Sequence, residues 1–127
     1  MKPIFMSVEE LYERKEATGE PIVDEMVSYL KRTRIITARD LAMLMDVNKR
    51  QLYGAMSILV GLPLGDIITR WRLLQARELL HTEPYSSMPV RTDRLKAVAH
   101  RCGWRSHRVM LAVAHRYDFD LEGIAPQ

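Results

Sequence analysis

Two short runs of polar side chains could do chemistry in this chain. Lys49, Arg50, Gln51 and Tyr53 form one, and Arg105, His107 and Arg108 form the other. Arginine or lysine can pair with guanine, and glutamine with adenine, on base edges in the DNA major groove. Gln51 has a competing use, because three residues after Asn48 it can close a capping box. Arg105, His107 and Arg108 open an expected helix, an end where the helix dipole is already positive. Cations there make most sense if a phosphate or a base supplies the opposite charge. A plain solvated surface is the alternative for both runs. Arg70 is a further candidate for touching a phosphate, whereas Arg72 and Arg77 read as structural, bridging lobes or pairing with Glu78 and its neighbours.

Other chemistries find less support. His100, Cys102, His107 and His115 match no zinc-ligand spacing, and His100 and Cys102 would face different sides of one helix. Cys102 reads as a small buried hydrophobe. There is no glycine-rich phosphate loop, nucleophile elbow or His-Glu-x-x-His, so neither an enzyme nor a cofactor or metal is expected.

The elements that must position these side chains contain an internal repeat. Leu41-Ala42, Asp46-Val47-Asn48 and Leu52 are echoed by Val98-Ala99, Gly103-Trp104-Arg105-Ser106 and Met110. The offset is 57 residues before the turn and 58 after it, so one residue is inserted in the second copy. Each copy reads as helix, tight turn, helix, a layout whose second helix commonly enters the major groove.

Cap and breaker signals place the rest. Ser7-Val8-Glu9-Glu10 starts a leader helix that should run to Gly19, and Pro21 opens a helix with Ile22, Val23, Met26, Val27 and Leu30 on one stripe. Thr37 opens a short helix with Leu41, Ala42, Leu44 and Met45. Asn48 caps the next, whose buried face is Leu52, Ala55, Met56 and Leu59, and Gly61 and Pro63 end it. A long helix is expected over about 65–81, with Ile67, Ile68, Trp71, Leu74 and Leu79 in helical register. A loop from Pro84 to Pro89 leads to helices near 93–102 and 106–117 and a last short helix near 120–124. No segment alternates convincingly, so the expected class is all-α. The expected parts are an acidic leader (1–20), a first helix-turn-helix lobe (21–63), a linker helix (64–82) and a second lobe (83–127), about seven helices plus the leader.

Charge is unevenly distributed. Residues 1–25 carry three basic and seven acidic side chains, while the remainder carries sixteen basic and nine acidic. A basic body fits a polyanion, since neutralising phosphates releases counterions. The acidic leader could cover that body or recruit a partner. A hydrophobic fraction of 47% argues against disorder. The single cysteine, and the lack of a signal peptide or an apolar run long enough to span a bilayer, point to a cytoplasmic protein without membrane contact.

Taken together, these residues resemble the DNA-binding region of AraC/XylS-type transcription regulators. Arg72-Leu73-Leu74-Gln75-Ala76-Arg77-Glu78-Leu79-Leu80 is similar to that family's Arg-Leu-x-x-Ala-x-x-Leu-Leu linker helix. Leu41-Ala42, Asp46-Val47, Asn48, Leu52 and Gly61 resemble its first unit, and Val98-Ala99, Gly103-Trp104 and Ser106 its second. The resemblance covers roughly residues 22–124. It implies two lobes on one linker helix, gripping two successive major-groove segments of double-stranded DNA about one turn, ~34 Å, apart. RNA polymerase or another regulator is a further implied partner. The chain resembles a stand-alone or degenerate member, lacking the usual ligand-sensing domain.

Several positions depart from the family pattern. Gly54 stands where an arginine often reads a base, and Met56 where phenylalanine is usual. In the second unit Met110 and Ala114 replace a phenylalanine pair, and Leu111 and Ala112 replace polar reading positions. Base reading is therefore expected to lean on the first unit. The same losses support a rival expectation, a protein-interaction module in which Met110 and Leu111 belong to an exposed apolar patch.

Overall fold

Helices in this chain begin where a polar side chain can satisfy the first free amides. A computed structural model describes residues 6–123, apart from the side chains of Lys49 and Ile58. The described residues form seven α-helices, one 3-10 turn at Tyr85–Ser87 and no strand. The helices are α1 (Val8–Glu13), α2 (Pro21–Arg32), α3 (Ala38–Leu44), α4 (Lys49–Leu59), α5 (Leu64–Leu80), α6 (Arg91–Arg101) and α7 (His107–Arg116). The fold is all-α, and the leader is one of the seven helices. Four starts are capped as their sequences require. Ser7, Thr37, Asn48 and Ser106 accept from the backbone amides of Glu10, Asp40, Arg50 and Val109 at 3.0, 3.2, 2.7 and 3.2 Å, each cap being worth about 1 kcal/mol.

The chain divides into two compact units, Met1–Trp71 and Arg72–Gln127. In the first, α4 packs against both α2 and α3. Val23, Met26, Leu30, Leu41, Leu52 and Met56 are fully buried there, whereas Ile22, Val27 and Ala55 are only half-buried.

The leader is shorter than its sequence suggests. α1 stops at Glu13, six residues before Gly19, because Arg14 turns to an extended conformation (ψ 130°). Its guanidinium then donates to the carbonyls of Glu16 and Ala17. Asp24, in the first turn of α2, accepts from both the backbone amide and the hydroxyl of Thr18 at 2.8 and 2.9 Å. The leader is also part of the first unit's core. Val8 and Leu11 are buried, the Met6 amide donates to the Leu59 carbonyl at 2.9 Å, and the Tyr12 ring meets Trp71 edge-on at 4.9 Å.

In the second unit α6 packs against α7 and the 3-10 turn, burying Leu95, Val98, Ala99, Cys102, Met110, Ala114 and Leu121. Met110 is fully buried, which removes it from the expected exposed patch: it occupies the core position that Leu52 holds in the first unit. Leu111 is half-buried. The last short helix expected near 120–124 is absent from its described part, since none of residues 120–123 is helical and Leu121 and Glu122 form a turn. A five-residue segment yields too few helical bonds to offset nucleation, and side chains hold its described part instead. Arg91 donates to both carboxylate oxygens of Glu122 at 2.8 and 2.5 Å, and a His81 ring nitrogen meets the Gly123 carbonyl at 2.5 Å.

Helix α5 begins in the first unit and ends in the second. Of its 17 residues only Glu78 is exposed, the pattern of a helix surrounded by protein. Leu64, Leu73, Ala76 and Leu80 join the expected Ile67, Ile68, Trp71 and Leu74 in burial, while Leu79 is half-buried. Arg72 is buried too, at 0% exposure. Its Nη1 donates to Gln75 Oε1 at 2.6 Å, and burial pushes its pKa down to about 10. Arg77 lays its guanidinium 4.7 Å from the centre of the Phe119 ring. Arg72 is thus internal, and Arg77 is half-buried against an aromatic ring.

Candidate nucleic-acid interface

The two copies of the repeat close their turns with the same hydrogen bonds. After α3, Asp46 adopts the left-handed conformation (φ 53°), and the Val47 amide donates to the Ala42 carbonyl at 3.1 Å. After α6, Gly103 does the same (φ 86°), and the Trp104 amide donates to the Ala99 carbonyl at 2.9 Å. This bond, spanning five residues behind a left-handed residue, is a Schellman closure. Aspartate tolerates that conformation better than most side chains, and glycine adopts it without penalty.

These turns locate the inserted residue. They match at an offset of 57, Val47 to Trp104, and the caps at 58, Asn48 to Ser106. Arg105 is therefore the extra residue, exposed between turn and cap. Beyond the cap the buried pair Leu52 and Met56 corresponds to Met110 and Ala114.

On the first unit, Arg50, Gln51, Tyr53 and Gly54 are exposed along α4, and the side chain of Lys49 lies outside the described residues. Gln51 is engaged in the capping box, its Oε1 accepting from the Asn48 amide at 3.4 Å. A bidentate grip on adenine uses both the oxygen and the nitrogen of the amide, so the cap competes with that role. A Cβ at Gly54 would meet nothing within 4 Å. Arg70 is half-buried on α5.

On the second unit, Arg105, His107 and Arg108 come together. They line an open groove of about 430 Å³ with Lys96, Ala99, His100, Trp104 and Ser106. Lys96, His100, Arg105 and Arg108 are exposed and His107 is half-buried. Trp104 walls the groove at 7% exposure, and its Nε1 hydrogen has no partner among the described residues. No acidic residue stands in the first turn of α7, so the positive helix end and these cations reinforce one another. Such a concave, one-signed surface favours a polyanion.

Comparison with family models, with curated proteins and with solved structures found no match for this chain. The repeat geometry and the charge of these surfaces are thus what the functional reading rests on.

Lys96 and His100 are groove residues that the sequence alone does not bring into the nucleic-acid candidates. A signal was present: they lie four apart on α6, hence on one face, and the repeat offset aligns Lys96 with the basic Arg39. The remaining histidine and cysteine candidates do not converge. Cys102 is buried, and burial pushes its thiol up to about 11. Among the described residues no group of three His, Cys, Asp or Glu side chains could hold a metal ion. Among them, too, no helix is long and apolar enough to cross a membrane.

Proposed function

We propose that this protein is a DNA-binding transcription regulator of AraC/XylS type, acting in the cytoplasm without catalysing a reaction. The observation that carries this reading is the repeated pair of helices closed by the same turn, with exposed cations at the start of each second helix. An α-helix fits the major groove of B-DNA, and helix-turn-helix units present their second helix to it. Basic side chains supply the phosphate contacts that fix register, and base edges supply discrimination.

The test is a binding titration of the full chain against genomic DNA fragments across ionic strength. The expected result is a log K that falls linearly with log salt. A flat dependence, or no bound fragment at low salt, overturns the reading. Selection of bound fragments with the purified protein then supplies the target sequence.

A second reading is favoured by one specific observation. Met43, Leu44 and Tyr53 are exposed on the first unit, Met43 to 69%. Exposed apolar side chains of this kind suit a protein partner such as RNA polymerase or another regulator. Recovery of a stoichiometric protein without DNA from native lysate supports that module; enriched genomic DNA supports the regulator.

A further inference from the structure

Of the two repeat copies, the second carries the stronger electrostatic case. Residues 91–117 hold seven arginines and lysines against one acidic residue, whereas the matching stretch 34–60 holds four against two. The groove lining itself gains one cation, the inserted Arg105, and has His107 where the first copy has Lys49, while Arg94, Arg101 and Arg116 add charge outside it. At the repeat offset, His100 replaces Met43, Arg101 replaces Leu44 and Gly103 replaces the acidic Asp46. Arg105 has no counterpart at all. Lys96 and His100 approach from α6, and Arg105, His107 and Arg108 from the turn and the start of α7.

Resting on the DNA-binding reading above, we propose that this groove grips successive backbone phosphates of duplex DNA, with Lys96, Arg105 and Arg108 each neutralising one. The second unit then supplies the larger share of the salt-dependent affinity. Lys96, Arg105 and Arg108 donate to the phosphodiester oxygens as charge-assisted hydrogen bonds. Arg105, the inserted residue, is the contact that sets the second copy apart from the first. Duplex DNA is favoured over duplex RNA because α7 exposes Arg108, Val109 and Ala112 beside the groove. A helix face can enter the wide B-form major groove, while the A-form major groove is too deep and narrow to admit it. Base reading can still lean on the first unit, while the copy with fewer polar reading positions makes the tighter electrostatic hold.

The experiment is fluorescence-anisotropy titration of the full chain with a labelled DNA duplex at several salt concentrations. Two variants are compared with the parent. K96A/R105A/R108A should reduce the slope of log K against log salt by roughly 2 to 3, at about 0.9 per lost phosphate contact. R39A/R50A in the first unit should weaken binding but lower the slope by less than about one. Thermal melts report folding, and R105E alone, at an exposed turn position, should weaken binding at least tenfold. If the parent binds DNA but the groove variant keeps the parent's slope, or R39A/R50A takes the larger loss, this proposal fails while the regulator reading stands. If the parent shows no salt-dependent DNA binding, both fail. Displacement of DNA by millimolar inorganic phosphate at fixed ionic strength would assign the groove to a small phosphate ligand and overturn the proposal. Equal or tighter binding of a duplex RNA would overturn it as well.

Discussion

The two helix-turn-helix copies share a frame and differ in what they show to solvent. Both close behind a left-handed residue with the same five-residue bond, Val47 to Ala42 and Trp104 to Ala99. Both bury the same positions, with Leu41, Met45, Leu52 and Met56 matched by Val98, Cys102, Met110 and Ala114. Their outer surfaces diverge. The first copy exposes Met43, Leu44 and Tyr53, where the second has His100, Arg101 and Leu111. A frame is constrained by packing, which penalises volume changes on every side. A surface is constrained only by its partner. The divergence therefore lies where packing sets no limit on the side chain.

The largest expected effect tests whether the frames are equivalent. Leu52→Ala and Met110→Ala each remove a fully buried side chain from the same repeat position, and each should cost about 2–5 kcal/mol in denaturant unfolding. A cost for Met110→Ala below ~1 kcal/mol would mean that the second copy is loosely packed, because truncation in a well-filled core leaves a cavity that the surroundings cannot close.

Two tests of intermediate size follow. Asn48→Ala and Ser106→Ala should each cost about 1 kcal/mol. The loss should be greater for Asn48, because Gln51 closes the box behind it. Equal losses would show that the reciprocal bond adds nothing. The second test uses Cys102, which occupies the position of Met45 and is held protonated by burial. Its pKa is raised in the folded state from 9.0 to about 11, so the stability it contributes is complete below pH 9 and is lost as pH rises towards 11. The loss should be about 1 kcal/mol at pH 10, read as a drop in denaturant midpoint that Cys102→Ala abolishes. An identical pH profile in the variant would rule the thiol out as its source.

The smallest effect is a gain. Gly54 of α4 corresponds to Ala112 of α7, and a Cβ there meets open space. Gly54→Ala should raise stability by about 0.5–1 kcal/mol, visible as a higher melting temperature. It should leave DNA affinity unchanged. A fall in affinity would instead mean that a ligand approaches the α4 backbone closely at that point.

Much of this is legible in the chain because it depends on neighbours in sequence. Ser7, Thr37, Asn48 and Ser106 mark helix starts through bonds reaching two or three residues. The repeat, and the fact of one insertion, are visible as an offset of 57 changing to 58. The leader's end is not legible, because Gly19 is a stronger local signal than Arg14, whose turn depends on bonds to Glu16 and Ala17. The place of Met110 is legible through the repeat, which pairs it with the buried Leu52 and so speaks against an exposed patch there. The site is legible in part: Arg105, His107 and Arg108 stand together in sequence, whereas Lys96 and His100 join them only once α6 packs on α7.

By itself, then, the sequence determined the helical class, the cap positions and the doubled turn, since each rests on backbone bonds made within a few residues. Tertiary structure decided which polar residues share a surface and which are taken inside. Arg72 is charged and yet fully buried beside Gln75, while Met43 is apolar and yet exposed. Neither follows from side-chain type, because burial depends on what packs against a position, and that partner is distant in the chain.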